Sequence, residues 1–249
     1  MIVDGLAYLG ESLQGYRQSP HELLARMDEL GIDRAVVAPV KPRDYHLGPE
    51  NERLAEAARA HPDRFIGFAR VDPLQGEAAA RELERGLQEL GLRGLFLHPW
   101  EETFRADDRR LDPLLAVARG GKTPILVATG YPWLAQSNQV AELAKRAPEC
   151  VVIMTHGGQL DISGLSGTAA FLALRECPNL LVQTCGVYRD DFLTEVVAEF
   201  GPQRLVFATN APLMDARLEL ARVQWAHFDP AAMPSVLGDN LARILGLAG

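Results

Sequence analysis

Short apolar runs alternate with longer amphipathic stretches along the 249-residue chain. The strand-like runs are Ile2–Tyr8, Arg34–Pro39, Phe65–Val71, Leu92–His98, Pro124–Thr129, Val151–Thr155, Leu180–Thr184 and Arg204–Thr209. Several are apolar on both faces, as Ala35-Val36-Val37-Ala38 and Val151-Val152-Ile153-Met154 show. Parallel strands read that way when helices cover one face and a closed core fills the other. Between the runs the period changes to that of a helix. In Pro20–Leu30 the residues Leu23, Leu24, Met27 and Leu30 share a face, and in Glu77–Leu90 so do Ala80, Leu83, Leu87 and Leu90.

Helix punctuation agrees with this reading. Ser19-Pro20 supplies a cap and a first-turn proline, and Gly31 closes that helix. Pro49-Glu50 opens the second helix and His61-Pro62 ends it. Eight strand-then-helix units in succession imply right-handed crossovers and closure. The predicted fold is therefore α/β, an eight-stranded (β/α)8 TIM barrel, with residues 1–249 as a single domain. An open doubly wound sheet is the alternative, but it usually carries a glycine-rich phosphate loop after its first strand. Asp4-Gly5-Leu6-Ala7-Tyr8-Leu9-Gly10 is no such loop. The final stretch, from Pro230 to Leu247, reads as helical turns.

Composition narrows the partners. With 47% hydrophobic residues the chain can build a large core, and its net charge of −8 argues against nucleic acid or anionic membranes. The three cysteines, Cys150, Cys177 and Cys185, lack C-x-x-C spacing, so neither a disulfide framework nor a zinc ribbon is expected, and a reducing cytoplasm is the expected setting. Ile2-Val3-Asp4 already reads as strand, which leaves no room for a signal peptide, and no window nears the roughly 18 apolar residues of a membrane helix.

In a barrel of this kind chemistry sits at the C-terminal ends of the strands. Those ends supply Tyr8, Lys41, Arg70, Asp72, His98, Trp100, Thr129, Tyr131, His156, Cys185, Tyr188 and Asn210. The ring is rich in aromatic and hydrogen-bonding groups and reads as poor in carboxylates. A small-molecule ligand is expected there.

The order of segments resembles the amidohydrolase-related barrels (amidohydrolase 2 type), which include aminocarboxymuconate-semialdehyde decarboxylase and lactonases. The resemblance rests on Ile2-Val3-Asp4, on Leu30 to Val37, on Pro62 to Phe68, and on Gly94-Leu95-Phe96-Leu97-His98-Pro99. It continues through Thr155-His156-Gly157-Gly158, Arg204 to Pro212 and Leu237 to Ala242, so it covers nearly the whole chain. The family opens with Asp-x-His-x-His, which here reads Asp4-Gly5-Leu6-Ala7-Tyr8. The strand-five histidine falls at Ala128 and the strand-eight aspartate at Asn210. Of the set the resemblance implies, His156 alone is unchanged.

Ligand chemistry gives the consequence. A catalytic zinc needs about three imidazole, carboxylate or thiolate donors, and Leu6 and Ala128 offer no lone pair. No metal or other cofactor is expected, with zinc in a rearranged set of Asp4, Tyr8 and His156 as the alternative. The leading expectation is a metal-independent hydrolase of a lactone or amide of a small organic acid. His156 is its candidate base and Tyr8 its second catalytic group, with Tyr8 or Lys41 polarising the carbonyl. Lys41, Arg70, His98, Trp100, Tyr131 and Asn210 are the candidate substrate-binding residues, Lys41 and Arg70 as anion anchors. A base of this kind contributes about 10²–10⁴-fold, which suits activated lactones better than amides. Two alternatives stand beside it, a non-catalytic barrel that binds a small ligand or partner and a decarboxylase or lyase of the same family. A homodimer is a further expectation, since relatives with this barrel often form one. Each candidate also has a plainer reading. Tyr8 fills space, Lys41 is a solvated loop cation, His98 caps a strand, Cys185 is a buried thiol, and Trp100, Tyr131, Trp133 and Tyr188 pack loops rather than wall a pocket.

Overall fold

The computed structural model describes residues 1–159, 165–189 and 191–247. Its strands are β1 (Val3–Glu11), β2 (Arg17–Gln18), β3 (Arg34–Pro39), β4 (Phe65–Arg70), β5 (Gly94–Leu97), β6 (Ile125–Val127), β7 (Val152–Met154), β8 (Leu180–Gln183) and β9 (Leu205–Val206). They form one sheet in the order β2-β1-β3-β4-β5-β6-β7-β8-β9, parallel except for the β1–β2 pair. The ends of the sheet meet. Gly5 N donates to Phe207 O (2.8 Å), Asn210 N to Leu6 O (2.9 Å) and Tyr8 N to Ala211 O (2.8 Å), with a parallel bridge between Ala7 and Ala211. The fold is a TIM barrel, as the eight runs predict. The sheet closes through the segment after β9, where the strand itself is only two residues long.

The helices are α1 (Pro20–Leu30), α2 (Leu47–Ala60), α3 (Glu77–Gln88), α4 (Asp112–Gly121), α5 (Ser137–Arg146), α6 (Leu165–Glu176), α7 (Asp191–Phe200), α8 (Ala216–Gln224) and α9 (Asn240–Leu245). Helix α1 keeps its predicted bounds. Ser19 and Glu22 form a reciprocal capping box, Pro20 occupies the first turn, and Gly31 closes the end in a left-handed conformation (φ 66°).

Alternation divides the apolar residues into two layers. Val36, Ile66, Phe68, Phe96, Leu126 and Ile153 point into the barrel, with Leu6 and Tyr8. Val37, Ala69, Leu95, Leu97 and Val127 point outward onto Leu23, Met27, Leu83 and Leu115 of the helices. Neighbouring residues of one strand therefore serve opposite layers, because successive side chains point to opposite faces. Leu241 and Leu245 of α9 join the inner layer beside Val3 and Val206, so the chain's last helix stops the N-terminal end of the barrel. The opposite end is left to polar side chains.

The β1–β2 hairpin was not predicted. Its partner strand is two residues long and polar, and it carries no periodic signal. The hairpin places Tyr16 beside Tyr8, with ring centroids 6.3 Å apart.

Candidate active site

Two strand ends bring His156 and Asn210 together. His156 opens a single turn after β7, and Asn210 lies in the segment after β9. Both adopt left-handed backbone conformations, with φ 54° and 55°. Such angles are uncommon in residues other than glycine and gather at functional sites. Asn210 Nδ2 lies 3.2 Å from His156 Nε2, and His156 Nδ1 lies 2.5 Å from Thr155 Oγ1. Thr155 Oγ1 also accepts from Thr129 N at 2.9 Å. Each ring nitrogen of His156 is thus engaged. Burial lowers its pKa to about 4, so the ring is neutral at pH 7. The other amide atom of Asn210, Oδ1, is buried without a hydrogen-bond partner among the described residues.

A charge network fills the opposite wall. Arg70 ends β4 and is fully buried. Its Nη2 donates to Glu101 and to Glu102 Oε1 (2.8 Å), and its Nη1 donates to Pro39 O (3.1 Å). Lys41, just after β3, pairs with the same Glu102 oxygen at 3.1 Å. Burial opposes the Arg70 charge, but Glu102 and Glu101 outweigh it and hold the guanidinium protonated. Burial also pushes the Glu102 carboxyl up, against the pull of Arg70 and Lys41.

This arrangement corrects three readings. Arg70 is no free anion anchor, since its charge is already met by carboxylates. Lys41 is no solvated loop cation, since it is buried. The ring is also not poor in carboxylates, because Glu101 and Glu102 follow directly on Trp100. Neither stands among the strand-end groups named from the sequence. Their signal was position, two consecutive acids three and four residues past the strand-end His98.

Aromatic rings complete the enclosure. Tyr8 packs edge-on against Phe96 (centroids 5.7 Å apart), and Trp100 stacks on Tyr131 (5.6 Å, 13° between planes). His98 lies between Phe96 and Tyr131, at 5.8 and 5.5 Å. Its Nδ1 accepts from Glu101 N (3.2 Å), which places the proton on Nε2, 4.0 Å from the Glu101 carboxylate. Burial first, then Arg70, holds the pKa of His98 well below its ordinary value. Burial raises Tyr8 well above the usual phenol range and Tyr131 to about 12. Trp133 and Tyr188 are 80% and 61% exposed, so the wall consists of Trp100 and Tyr131 without them. Cys185 is buried, and desolvation raises its thiol pKa far above the ordinary value, which fits the inert reading. A cleft of about 510 Å³ opens on the flank, lined by Leu9, Gln18, Pro20, Leu54 and Arg53 among others. It holds none of the strand-end groups. The perturbed ionisable residues gather at the mouth, which we take as the site.

A divalent ion fits this mouth poorly. Leu6, Tyr8 and Ala128 belong to the inner apolar layer. The rearranged donor set is spoken for: Asp4 accepts from Leu6 N and from Thr209 N and Oγ1, and Tyr8 resists ionisation. Glu101 and Glu102 are bound to Arg70 and Lys41. Among the described residues no three His, Cys, Asp or Glu side chains converge as a ligand set.

Closed barrel and strand-end site together define an amidohydrolase-type protein, and the chain belongs to the amidohydrolase family, whose model matches residues 7–247. Among its relatives is the gamma-resorcylate decarboxylase of Rhodococcus jostii (strain RHA1), 26% identical with 76% of each chain covered. The crystal structure of 2,6-dihydroxybenzoate decarboxylase from Rhizobium superposes with a TM-score of 0.79 at 19% identity, covering 100% of this chain and 99% of that one. A dihydroxybenzoic acid decarboxylase from Polaromonas sp. JS666, solved with bound manganese and the inhibitor 2-nitroresorcinol, gives 0.76 at 18% identity, covering 99% and 97%. These relatives favour the decarboxylase alternative over the lactone or amide hydrolase. No described helix is long and apolar enough to cross a membrane.

Proposed function

We propose that this chain is a lyase that removes carbon dioxide from a small hydroxylated aromatic acid, as a single barrel domain over residues 1–249. The kinship with gamma-resorcylate decarboxylase carries the reading, and the aromatic enclosure of the mouth agrees with it. Tyr131, backed by Trp100, takes the ring by stacking. Lys41 spends one pairing on Glu102 and offers its remaining N–H groups to the carboxylate. The His156–Asn210 pair meets a ring hydroxyl. As the bond to the carboxylate carbon breaks, its electron pair stays on the ring and a proton must replace carbon dioxide. Asn210 has no proton to give as an acid and Glu101 is paired as a carboxylate with Arg70, so we assign the transfer to a water held by Glu101, between Arg70 and His98. The hydroxide that this water leaves takes up a proton from the solvent.

The direct experiment incubates the protein with 2,6-dihydroxybenzoate and follows carbon dioxide and resorcinol. Product is expected, and Glu101→Gln should lower kcat by roughly 10²-fold or more. Lactone hydrolysis with no carbon dioxide from any hydroxybenzoate would sink the reading. A second reading, a barrel that binds without turnover, is favoured by the carboxylates already neutralising both buried cations. Ligand binding with no product in the same assay would select it.

A further inference from the structure

The His156–Asn210 contact has the character of a site built around a different centre of attraction from a metal ion. An imidazole ligates a cation through a ring nitrogen with a free lone pair. Here Nε2 meets the Asn210 amide at 3.2 Å and Nδ1 meets Thr155 at 2.5 Å, so neither nitrogen faces open space. Nor does the outcome depend on which way the amide is turned. With the NH2 toward Nε2, the lone pair is consumed. With the oxygen toward it, Nε2 carries the proton. In both cases one polar atom of a deeply buried amide is left unmatched, and that costs free energy unless a ligand supplies the partner. A hydroxyl suits either orientation, since it both donates and accepts.

We propose that this barrel binds a hydroxy-aromatic acid without a divalent cation, the Asn210 amide occupying His156 and offering its second atom to a ligand hydroxyl. The proposal rests on the mouth being the ligand site, but it needs no turnover. Its enclosure fits a cation-free mode: Leu6, Tyr8 and Ala128 present an alkyl group, a ring and a methyl to the same interior, while Glu101 and Glu102 are held by Arg70 and Lys41.

The test uses the full-length protein, stripped with chelator, loaded with excess manganese, and desalted before elemental analysis. Well under a tenth of an ion per chain is expected. Calorimetric titration with 2,6-dihydroxybenzoate should then give the same Kd in chelator as in manganese, and benzoate should bind roughly tenfold or more weakly, the loss of about one hydrogen bond to a buried partner. Asn210→Leu should remove that preference while leaving benzoate binding in place, so the benzoate titration itself reports that the variant is folded. Stoichiometric manganese, binding abolished by chelator, equal affinity for the two acids, or no binding of either would each overturn the proposal. Cation-free binding with no carbon dioxide release would leave it standing and remove the decarboxylase. Carbon dioxide release by a manganese-loaded protein would do the reverse.

Discussion

At the scale of single residues, buried charge sets the energetics of the mouth. Removing Arg70 would strand the buried Glu101 and leave Glu102 to Lys41 alone. Breaking a buried ion pair from one side costs about 3–5 kcal/mol, so Arg70→Met should lower stability by that order in urea titrations. Asp4 has the opposite habit. It is buried and its pKa is raised from 3.8 to about 7, chiefly by desolvation, although Thr209 and Leu6 donate to it. The folded protein therefore holds a proton that the unfolded chain gives up. The stability from that proton is fully present below pH 3.8 and is lost as pH rises through about 7. The difference in Tm between the parent and Asp4→Asn should shift with pH across that window, and a pH-independent difference would contradict it. Glu101 and Glu102 show why part of the site was not legible. Two acids in a row carry no periodic signal, and only the fold turns them inward onto Arg70 and Lys41.

Elements were the most legible level. Short apolar runs marked all eight barrel strands because each face has its own layer to fill, and Ser19, Pro20 and Gly31 bounded α1 because each answers a local backbone need. The strands from β4 onward are shorter than their apolar runs, while β1 runs past Tyr8 to Glu11. Leu92–His98 shortens to Gly94–Leu97, and Arg204–Thr209 to Leu205–Val206, since ladder pairing ends before apolar character does. Gly94 shows how tightly an element is fitted: a Cβ there would lie 2.3–2.5 Å from the Phe68 ring. Gly94→Ala should cost about 1–3 kcal/mol through overpacking, measurable as a lower denaturation midpoint. An unchanged midpoint would mean that Phe68 has room to move.

For the whole molecule, closure is the decisive event. Gly5 admits the backbone of the segment after β9, and a Cβ at that position would stand 2.8 Å from Phe207 O and 2.9 Å from Gln183 Nε2. Gln183 Nε2 in turn donates to Gly5 O at 2.8 Å. Gly5→Val should weaken the seam, seen as a lower Tm and a larger radius in solution scattering. A variant as stable and compact as the parent would show that the seam tolerates a side chain.

The chain's own pattern determined the barrel, the strand set and the family, because these are properties of local period and residue chemistry. Tertiary structure alone decided that Asn210 meets His156, that Arg70 and Lys41 share Glu102, and that Trp100 shields Tyr131 while Trp133 does not. Those contacts join residues far apart along the chain, and their pairing depends on where closure brings each strand end, a distance that no local pattern encodes.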